Sequence, residues 1–189
     1  SDQVFPNRCG YLPGKQVIGT EQMLAKVKAA LDARRDTDFF IAARTDAAAV
    51  EGPNAAIARS QLFMEAGADM AKPMGFDTID EIKRAMREIP GPHMATLSQA
   101  AGNKRRSLED LKAAGVAAAT FPSIALFAAA NAVRNVLRIL KRENSLTATF
   151  DHLLPLEDYY ELVGLKAMLM REESYDKGAQ ALTQKRAAE

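Results

Sequence analysis

A single thiol, Cys9, lies in the segment Pro6-Asn7-Arg8-Cys9-Gly10-Tyr11-Leu12-Pro13-Gly14-Lys15. Its prolines and glycines exclude regular structure, so the thiol falls on a loop that can close over a ligand, beside Arg8, a cation that favours thiolate. A cysteine so placed is a candidate acid, base or nucleophile; the bland alternative is an incidental cysteine that packs as a small apolar side chain. Further polar residues stand in short groups after apolar runs: Arg44-Thr45-Asp46, Lys72, Thr96 to Ser98, and Thr120 to Ser123.

The elements that must position these groups alternate along the chain. Thr20 reads as the N-cap of a helix carrying Met23, Leu24, Val27, Ala30 and Leu31 at helical spacing. Phe39-Phe40-Ile41-Ala42-Ala43 reads as a buried strand with Arg44-Thr45-Asp46 at its carboxyl end. Pro53 opens a second helix that ends at Gly67, residues 68–73 form the next strand, and Asp77 caps a third helix with Ile79, Ile82, Met86 and Ile89 on one face. His93 to Leu97 is a weak strand. Gly102 to Arg106 is a polar loop leading to the capping box Ser107-x-x-Asp110, and Gly115 ends that helix before the strand 116–121. A long helix to about Arg142, a helix from about Glu157 to Glu172 and a fraying polar tail complete the chain. Glu65-Ala66-Gly67-Ala68 and Ala113-Ala114-Gly115-Val116 share one αβ junction, as expected of a repeating β/α chain. With no dinucleotide or P-loop glycine motif, the pattern is an α/β fold with a parallel sheet, either open and doubly wound or part of a closed barrel. In both, ligands bind at the carboxyl edge of the strands.

Composition narrows the function classes. The chain has 189 residues, 25 Lys plus Arg against 24 Asp plus Glu, and 48% hydrophobic residues, which suits one ordinary globular domain. Near-neutral charge supplies no field for nucleic acid or a membrane surface, and the short runs Lys104-Arg105-Arg106 and Lys141-Arg142 read as solvated faces. One cysteine excludes an intrachain disulfide and a cysteine-rich zinc site. It agrees with a reducing compartment, with cytoplasm the first expectation and the mitochondrial matrix or another organelle left open. No apolar run reaches the roughly 18 residues of a membrane span, and Ser1-Asp2-Gln3 does not begin a signal peptide. His152 reads as a surface or packing residue, His93 as a strand start, and Met64, Met70, Met86, Met94, Met168 and Met170 as core fillers.

Asp2-Gln3, the cysteine loop 6–15, Ala43-Arg44-Thr45-Asp46-Ala47, Glu51-Gly52, Glu65-Ala66-Gly67-Ala68-Asp69 and Phe121-Pro122-Ser123 resemble the isocitrate lyase/phosphoenolpyruvate mutase superfamily. Within it they are most similar to the 2-methylisocitrate lyase and 2,3-dimethylmalate lyase branch, up to about Tyr175. The resemblance implies a Mg²⁺-dependent (β/α)8 TIM-type barrel that cleaves a carbon–carbon bond in a small 2-hydroxy dicarboxylate, giving a 2-oxo acid and a second carboxylate. It further implies that this chain is the second half of the barrel, strands five to eight with C-terminal helices over residues 1–175, followed by a polar tail at 176–189. The magnesium ligands then lie outside the chain. Cys9 corresponds to a proton donor on a gating loop and is the implied catalytic residue. Gly10 corresponds to a backbone contact with substrate and Arg44 to the arginine that holds a carboxylate or developing enolate; Arg8, Tyr11, Thr96 and Ser98 complete the implied substrate contacts. A salt bridge from Arg44 to Asp46 or Glu51 is the purely structural alternative. A homo-oligomer that exchanges the C-terminal helix is implied as well, with the stripe Phe127 and Val133 to Leu140 as its interface.

Departures from the family pattern bear on substrate. The loop's usual Lys and His are Asn7 and Tyr11, a Phe-Pro-Glu is Lys72-Pro73-Met74, an Asn-containing motif is Thr96-Leu97-Ser98-Gln99, and two arginines are replaced near Phe127 and Leu156. These losses disfavour a tricarboxylate and fit a smaller or less charged substrate. Lys72 reads as a strand-end lysine pointing into solvent, with replacement of a lost cation as the second reading. A catalytically silent or truncated paralogue acting as a subunit, oxaloacetate hydrolysis and C–P rearrangement are the alternatives to a lyase.

Overall fold

The computed structural model describes residues 1–76, 78–98 and 107–187. Gln99, the loop 102–106 with its basic run, and the expected cap Asp77 lie outside the described residues. The chain divides into two units, Ser1–Phe127 and Ala128–Glu189.

In the first unit, α1 (Thr20–Ala33) turns Met23 and Val27 inward. Its cap is Gly19, whose N–H donates to Gln22 Oε1 at 3.3 Å, so Thr20 is the first helical residue and not the cap. The first strand, β1 (Ala42–Thr45), begins later than the apolar run suggests. Phe39 donates its N–H to Asp36 O in a tight turn, and Phe39 and Phe40 are 66% and 54% exposed. Ile41 N–H is then fixed by Asp69 Oδ2 at 2.8 Å, and the chain enters the sheet only after that point. Arg44 therefore stands within the strand. A 3-10 turn (Ala47–Ala49) leads to α2 (Pro53–Glu65), with Pro53 in its first turn as expected.

β2 (Met70–Pro73), α3 (Ile79–Glu88), β3 (Met94–Thr96), α4 (Leu108–Ala113) and β4 (Ala118–Thr120) continue the alternation. Thr78 caps α3 through a reciprocal pair, Glu81 N–H to Thr78 Oγ1 at 3.1 Å and Thr78 N–H to Glu81 Oε2 at 2.9 Å; such a cap contributes about 1 kcal/mol. Ser107 and Asp110 form the one capping box that the sequence led us to expect. Gly67 and Gly115, at φ +105° and +88°, both make the helix-to-strand turn that a Cβ would strain.

β1 pairs with β2 and β3 with β4, all parallel, and a bridge between Ala71 and His93 links β2 to the approach of β3. The strands thus follow one another in chain order. Consecutive parallel neighbours without a reversal are the pattern of a β/α barrel wall, whereas a doubly wound sheet has a switch point. Phe63, Ala43, Met23, Val27 and Ala68 form one core cluster, and Ile57, Ala71, Phe76, Ile82, Ile89 and Leu111 belong to another. Each large apolar side chain so buried contributes about 1.5–3 kcal/mol.

One polar cluster is as buried as these cores. Asp2 is fully buried and accepts from Thr45 Oγ1 at 2.6 Å and from Asp46 N–H at 2.9 Å. Arg59, on α2, reaches Asp2 Oδ2 at 3.5 Å, donates to Ile18 O at 2.8 Å and grips Glu51 with two nitrogens. Glu51 is therefore the partner of Arg59 and not of Arg44.

In the second unit the remainder of α5 (Ile124–Glu143) is followed by a 3-10 turn (Thr147–His152), α6 (Leu156–Leu162) and α7 (Leu165–Ala187). The helix expected over 157–172 is broken at Gly164, φ +70°. The polar segment read as a fraying tail is helical as far as Ala187, supported on its exposed face by an i,i+4 pair from Glu173 to Lys177. Met168 and Met170 are exposed and so are not core fillers. Lys141 and Arg142 sit on an exposed helix end, Arg142 paired with Glu143, as a solvated face should. Among the described residues no helix is long and apolar enough to cross a membrane.

Two outcomes follow from the buried polar groups. Asp2→Ala strips the buried acceptors from Thr45 Oγ1 and the Asp46 N–H and leaves Arg59 with Glu51 as its acidic partner, so it should cost about 2–4 kcal/mol in urea unfolding; a loss under 1 kcal/mol would refute the clamp. His93 is 2% exposed, and burial holds its imidazole pKa below the ordinary value, opposed in part by the Ile89 backbone. The folded state thus prefers the neutral ring. Its contribution is complete above the unfolded pKa of about 6.5 and is lost as pH falls below that value. Between pH 7 and 5 the unfolding midpoint should drop, and His93→Asn should flatten that slope. The carboxylates held low, Asp46 and Asp69, act only below about pH 4.

Candidate functional site

Strands β1 to β4 end on one edge, and the residues expected to act there are brought to it by register. Arg44 pairs with Lys72 across β1 and β2, and Thr96 with Thr120 across β3 and β4. In-register residues of parallel strands share a face, so each pair stands level, and the Ala71–His93 bridge sets Thr96 two residues further along that face than Lys72. The cysteine loop is laid over this edge by the N-terminal segment. Gln3 uses its amide as a backbone surrogate, accepting from Arg8 N–H at 2.8 Å and donating to Arg8 O at 3.1 Å. Val4 N–H donates to Gln16 O and Ile18 N–H to Asp2 O, so both ends of the loop are tied to one short segment.

Arg44 is held by Asp46 in a two-point pair, Nε to Oδ2 and Nη2 to Oδ1, both at 2.8 Å. The structural alternative for Arg44 is therefore realised at Asp46, yet its side chain remains 30% exposed toward the edge. Burial alone would push the Asp46 carboxyl up; the hydrogen bonds and charge of Arg44 outweigh that and hold it below the usual carboxylate range. Lys15 Nζ lies 3.8 Å from Asp46 Oδ1 and donates to Gly10 O, which clamps the loop onto the same carboxylate.

Gly10 is where loop and strand meet. A Cβ there would stand 3.1 Å from Arg44 Nη2 and 3.5 Å from Met74 Cε. Only a residue without a side chain lets the loop backbone approach the guanidinium without displacing it. Cys9, one residue earlier, is exposed and begins a turn closed by Leu12 N–H on Cys9 O at 3.0 Å. Gly10 and Tyr11, with Lys15, Met74 and Thr96, line a cavity of about 650 Å³; neither Cys9 nor Arg44 lines it.

The remaining expected residues divide. Thr96 shares a hydrogen bond with Thr120 Oγ1 at 3.0 Å and lines the cavity. Ser98 instead pairs with Ser123 at 2.9 Å. Arg8 turns back on its own loop, donating to Pro13 O at 3.3 Å and lying against Gly14, so it braces the loop. Lys72 departs from its expected exposure: it is half-buried and its Nζ donates to Thr120 Oγ1 at 3.3 Å. Burial lowers its amine pKa, the charge of Arg44 adds to this and that of Asp46 opposes it.

Asp2, Gln3, Lys15 and Arg59 brace the candidate site and had no role in the sequence reading, where Asp46 entered only as the structural partner of Arg44. Asp2-Gln3 was visible as a motif, but pairings across 43 and 57 residues leave no local signal. The described residues do not by themselves fit a resident metal ion. Among the described residues no three His, Cys, Asp or Glu side chains gather to hold one, and the acids nearest the edge, Asp2 and Asp46, are each engaged by an arginine.

Known proteins can be set beside this geometry. The family model described as phosphoenolpyruvate phosphomutase matches residues 7–141. The chain is 34% identical over 162 residues to 2-methylisocitrate lyase of Escherichia coli (strain K12), covering 86% of this chain and 55% of that protein. It is 30% identical over 177 residues to 2,3-dimethylmalate lyase of Eubacterium barkeri, covering 94% and 61%. Its fold superposes on oxaloacetate acetylhydrolase, solved with the inhibitor 3,3-difluorooxalacetate, at a TM-score of 0.85 and 27% identity over 92% of this chain and 59% of that one. The chain thus spans a little over half the length of these relatives. A cysteine loop seated on an in-strand arginine, consecutive parallel β/α units and these similarities together make the chain a member of the phosphoenolpyruvate mutase/isocitrate lyase family.

Proposed function

We propose that the chain carries the proton-donating loop and the carboxylate-holding arginine of a carbon–carbon bond lyase for a small 2-hydroxy dicarboxylate, and that it supplies the second half of a (β/α)8 barrel. The observation that carries this reading is the seating of Gly10 on the Arg44 guanidinium, which brings Cys9 within one residue of the place where a carboxylate would be held. Relatives named 2-methylisocitrate lyase and 2,3-dimethylmalate lyase support the same chemistry. Four parallel β/α units in chain order, and a match to about three-fifths of 2,3-dimethylmalate lyase, support the half-barrel.

In this reaction the substrate hydroxyl loses its proton as C2=O forms and the C2–C3 bond breaks. The bonding pair moves onto C3 and its carboxylate as an enediolate. Arg44 binds a substrate carboxylate with the guanidinium edge turned away from Asp46 and offsets the developing charge, while Asp46, with Lys15 beside it, fixes its orientation. Gly10 offers backbone where a side chain would collide. The loop then brings the exposed Cys9 over the cavity, where its S–H delivers a proton to C3; the hydroxyl proton passes to solvent and the thiolate takes one back from solvent before the next turnover. Tyr11 and Thr96 face the substrate from the cavity wall. Magnesium belongs to this reading as the family's cofactor, with ligands from outside the described residues, and no step above is routed through it. The cavity's mixed wall of Met74, Ala95 and Phe76 beside Thr96 suits a small substrate with an apolar substituent in place of a third carboxylate.

Assembly is part of the reading. Phe127, Val133, Leu137 and Leu140 along α5 are exposed apolar residues, which supports a homo-oligomer in which this helix packs on a second copy. A second reading, hydrolysis of oxaloacetate, is favoured by the fold match to oxaloacetate acetylhydrolase.

With Mg²⁺ and 2,3-dimethylmalate or methylisocitrate, release of a 2-oxo acid should be measurable by coupled reduction with a lactate dehydrogenase or by hydrazone absorbance. Cys9→Ser should lower kcat by about 10²–10⁴ with little change in KM, as expected for loss of a positioned acid. Arg44→Ala should reduce kcat/KM further. Full activity in Cys9→Ser, or release of oxalate and acetate from oxaloacetate in place of lyase products, would overturn the lyase reading.

A further inference from the structure

Arg44 and Lys72 are direct partners in the β1–β2 register, so two cations point from adjacent strands onto one face. Like charges placed directly opposite in a sheet destabilise it unless an anion stands with them. Asp46 answers only part of that charge, and both of its oxygens are already on Arg44, with Lys15 beside one of them. Among the described residues the edge therefore gathers three cations, Arg44, Lys15 and Lys72, around one carboxylate; the deeper acid Asp2 is matched by Arg59. With Glu51, the second partner of Arg59, included, four cations face three carboxylates, an excess of one positive charge that falls on the Arg44–Lys72 side.

Lys72 is also held in place. Its Nζ reaches across β3 to Thr120 Oγ1, and that hydroxyl is shared with Thr96, which lines the cavity. A half-buried lysine fixed by a hydroxyl bonds weakly to its present partner and keeps donors for another. The burial that lowers its amine pKa is the desolvation an incoming carboxylate would offset.

The geometry points to Lys72, with Thr120 and Thr96, as the second anchor of a dianionic ligand whose first anchor is Arg44, so that Lys72 selects dicarboxylates over monocarboxylates. This rests on the reading of the strand edge as a carboxylate site, and it assigns the substrate's second acidic group to a residue of this chain. No covalent step is involved: one carboxylate lies on the guanidinium edge turned away from Asp46 and the other on the ammonium and the two hydroxyls.

Binding tests this without turnover. Oxalate, the smallest planar dicarboxylate, and acetate, its monoanionic counterpart, are titrated calorimetrically against the full chain at low and moderate salt. Oxalate should bind at 1:1 with a salt-dependent affinity at least tenfold above that of acetate. Lys72→Met and Lys72→Gln should each weaken oxalate at least tenfold, leave acetate within threefold and retain the far-ultraviolet circular dichroism of the parent. Lys72→Arg should restore most of the loss. Oxalate binding unchanged in both Lys72→Met and Lys72→Gln, or no saturable oxalate binding by the parent, would overturn the assignment. If Arg44→Ala abolishes binding while both uncharged Lys72 variants retain it, the arginine site stands and the lysine's part falls. Because no catalysis is read, an inactive chain with the expected binding pattern would separate failure of the lyase reading from failure of this one.

Discussion

The buried carboxylate of Asp2 is the constraint on which the site depends. It joins three pieces of chain that sequence holds far apart: the N-terminal segment, the end of β1 and helix α2 through Arg59. A fully buried acid is tolerable only because each oxygen is met by a donor or a cation, and the same demand makes the arrangement specific. Asp2 fixes the backbone of Asp46, Asp46 fixes Arg44, and Gln3, the next residue, fixes the cysteine loop. Loop and arginine are thus positioned by neighbouring residues of one short segment.

This linkage explains why the loop can approach so closely. Lys15 binds Gly10 O and lies beside Asp46, so the loop's far end is tied to the carboxylate that orients Arg44. A change in that carboxylate would be felt by both the arginine and the loop. Around it the edge carries more positive than negative charge, arranged by strand register as much as by side-chain contact. An anionic ligand would relieve repulsion that the protein alone leaves in place.

Much of this was legible in the chain, and the failures have physical causes. Local signals, such as the Ser107–Asp110 box, Pro53 at a helix start and glycines at the αβ junctions, read correctly because short-range geometry decides them. Phe39 and Phe40 misled because a run of apolar residues looks like a strand, whereas the Asp36 turn and the Asp69 carboxylate set where the sheet begins. The polar end of α7 misled because it carries no apolar stripe to signal a helix; an i,i+4 pair, Glu173 with Lys177, supports it where it begins. At the site, Cys9, Gly10 and Arg44 were visible as motifs. Lys72 was misjudged as solvent-facing, since only the β3–β4 pairing brings Thr120 under its amine. Asp2 and Arg59 are unreadable as partners because nothing local connects positions 2 and 59.

The lyase reading requires that a proton from the loop be delivered to carbon once per cleavage. Proton NMR of 2,3-dimethylmalate turnover in deuterium oxide measures this directly. The expected result is equimolar pyruvate and propionate, with one deuterium at C2 of every propionate from the exchanged Cys9 thiol. Absence of both products, or propionate without deuterium at C2, would contradict carbon–carbon cleavage followed by protonation from this loop.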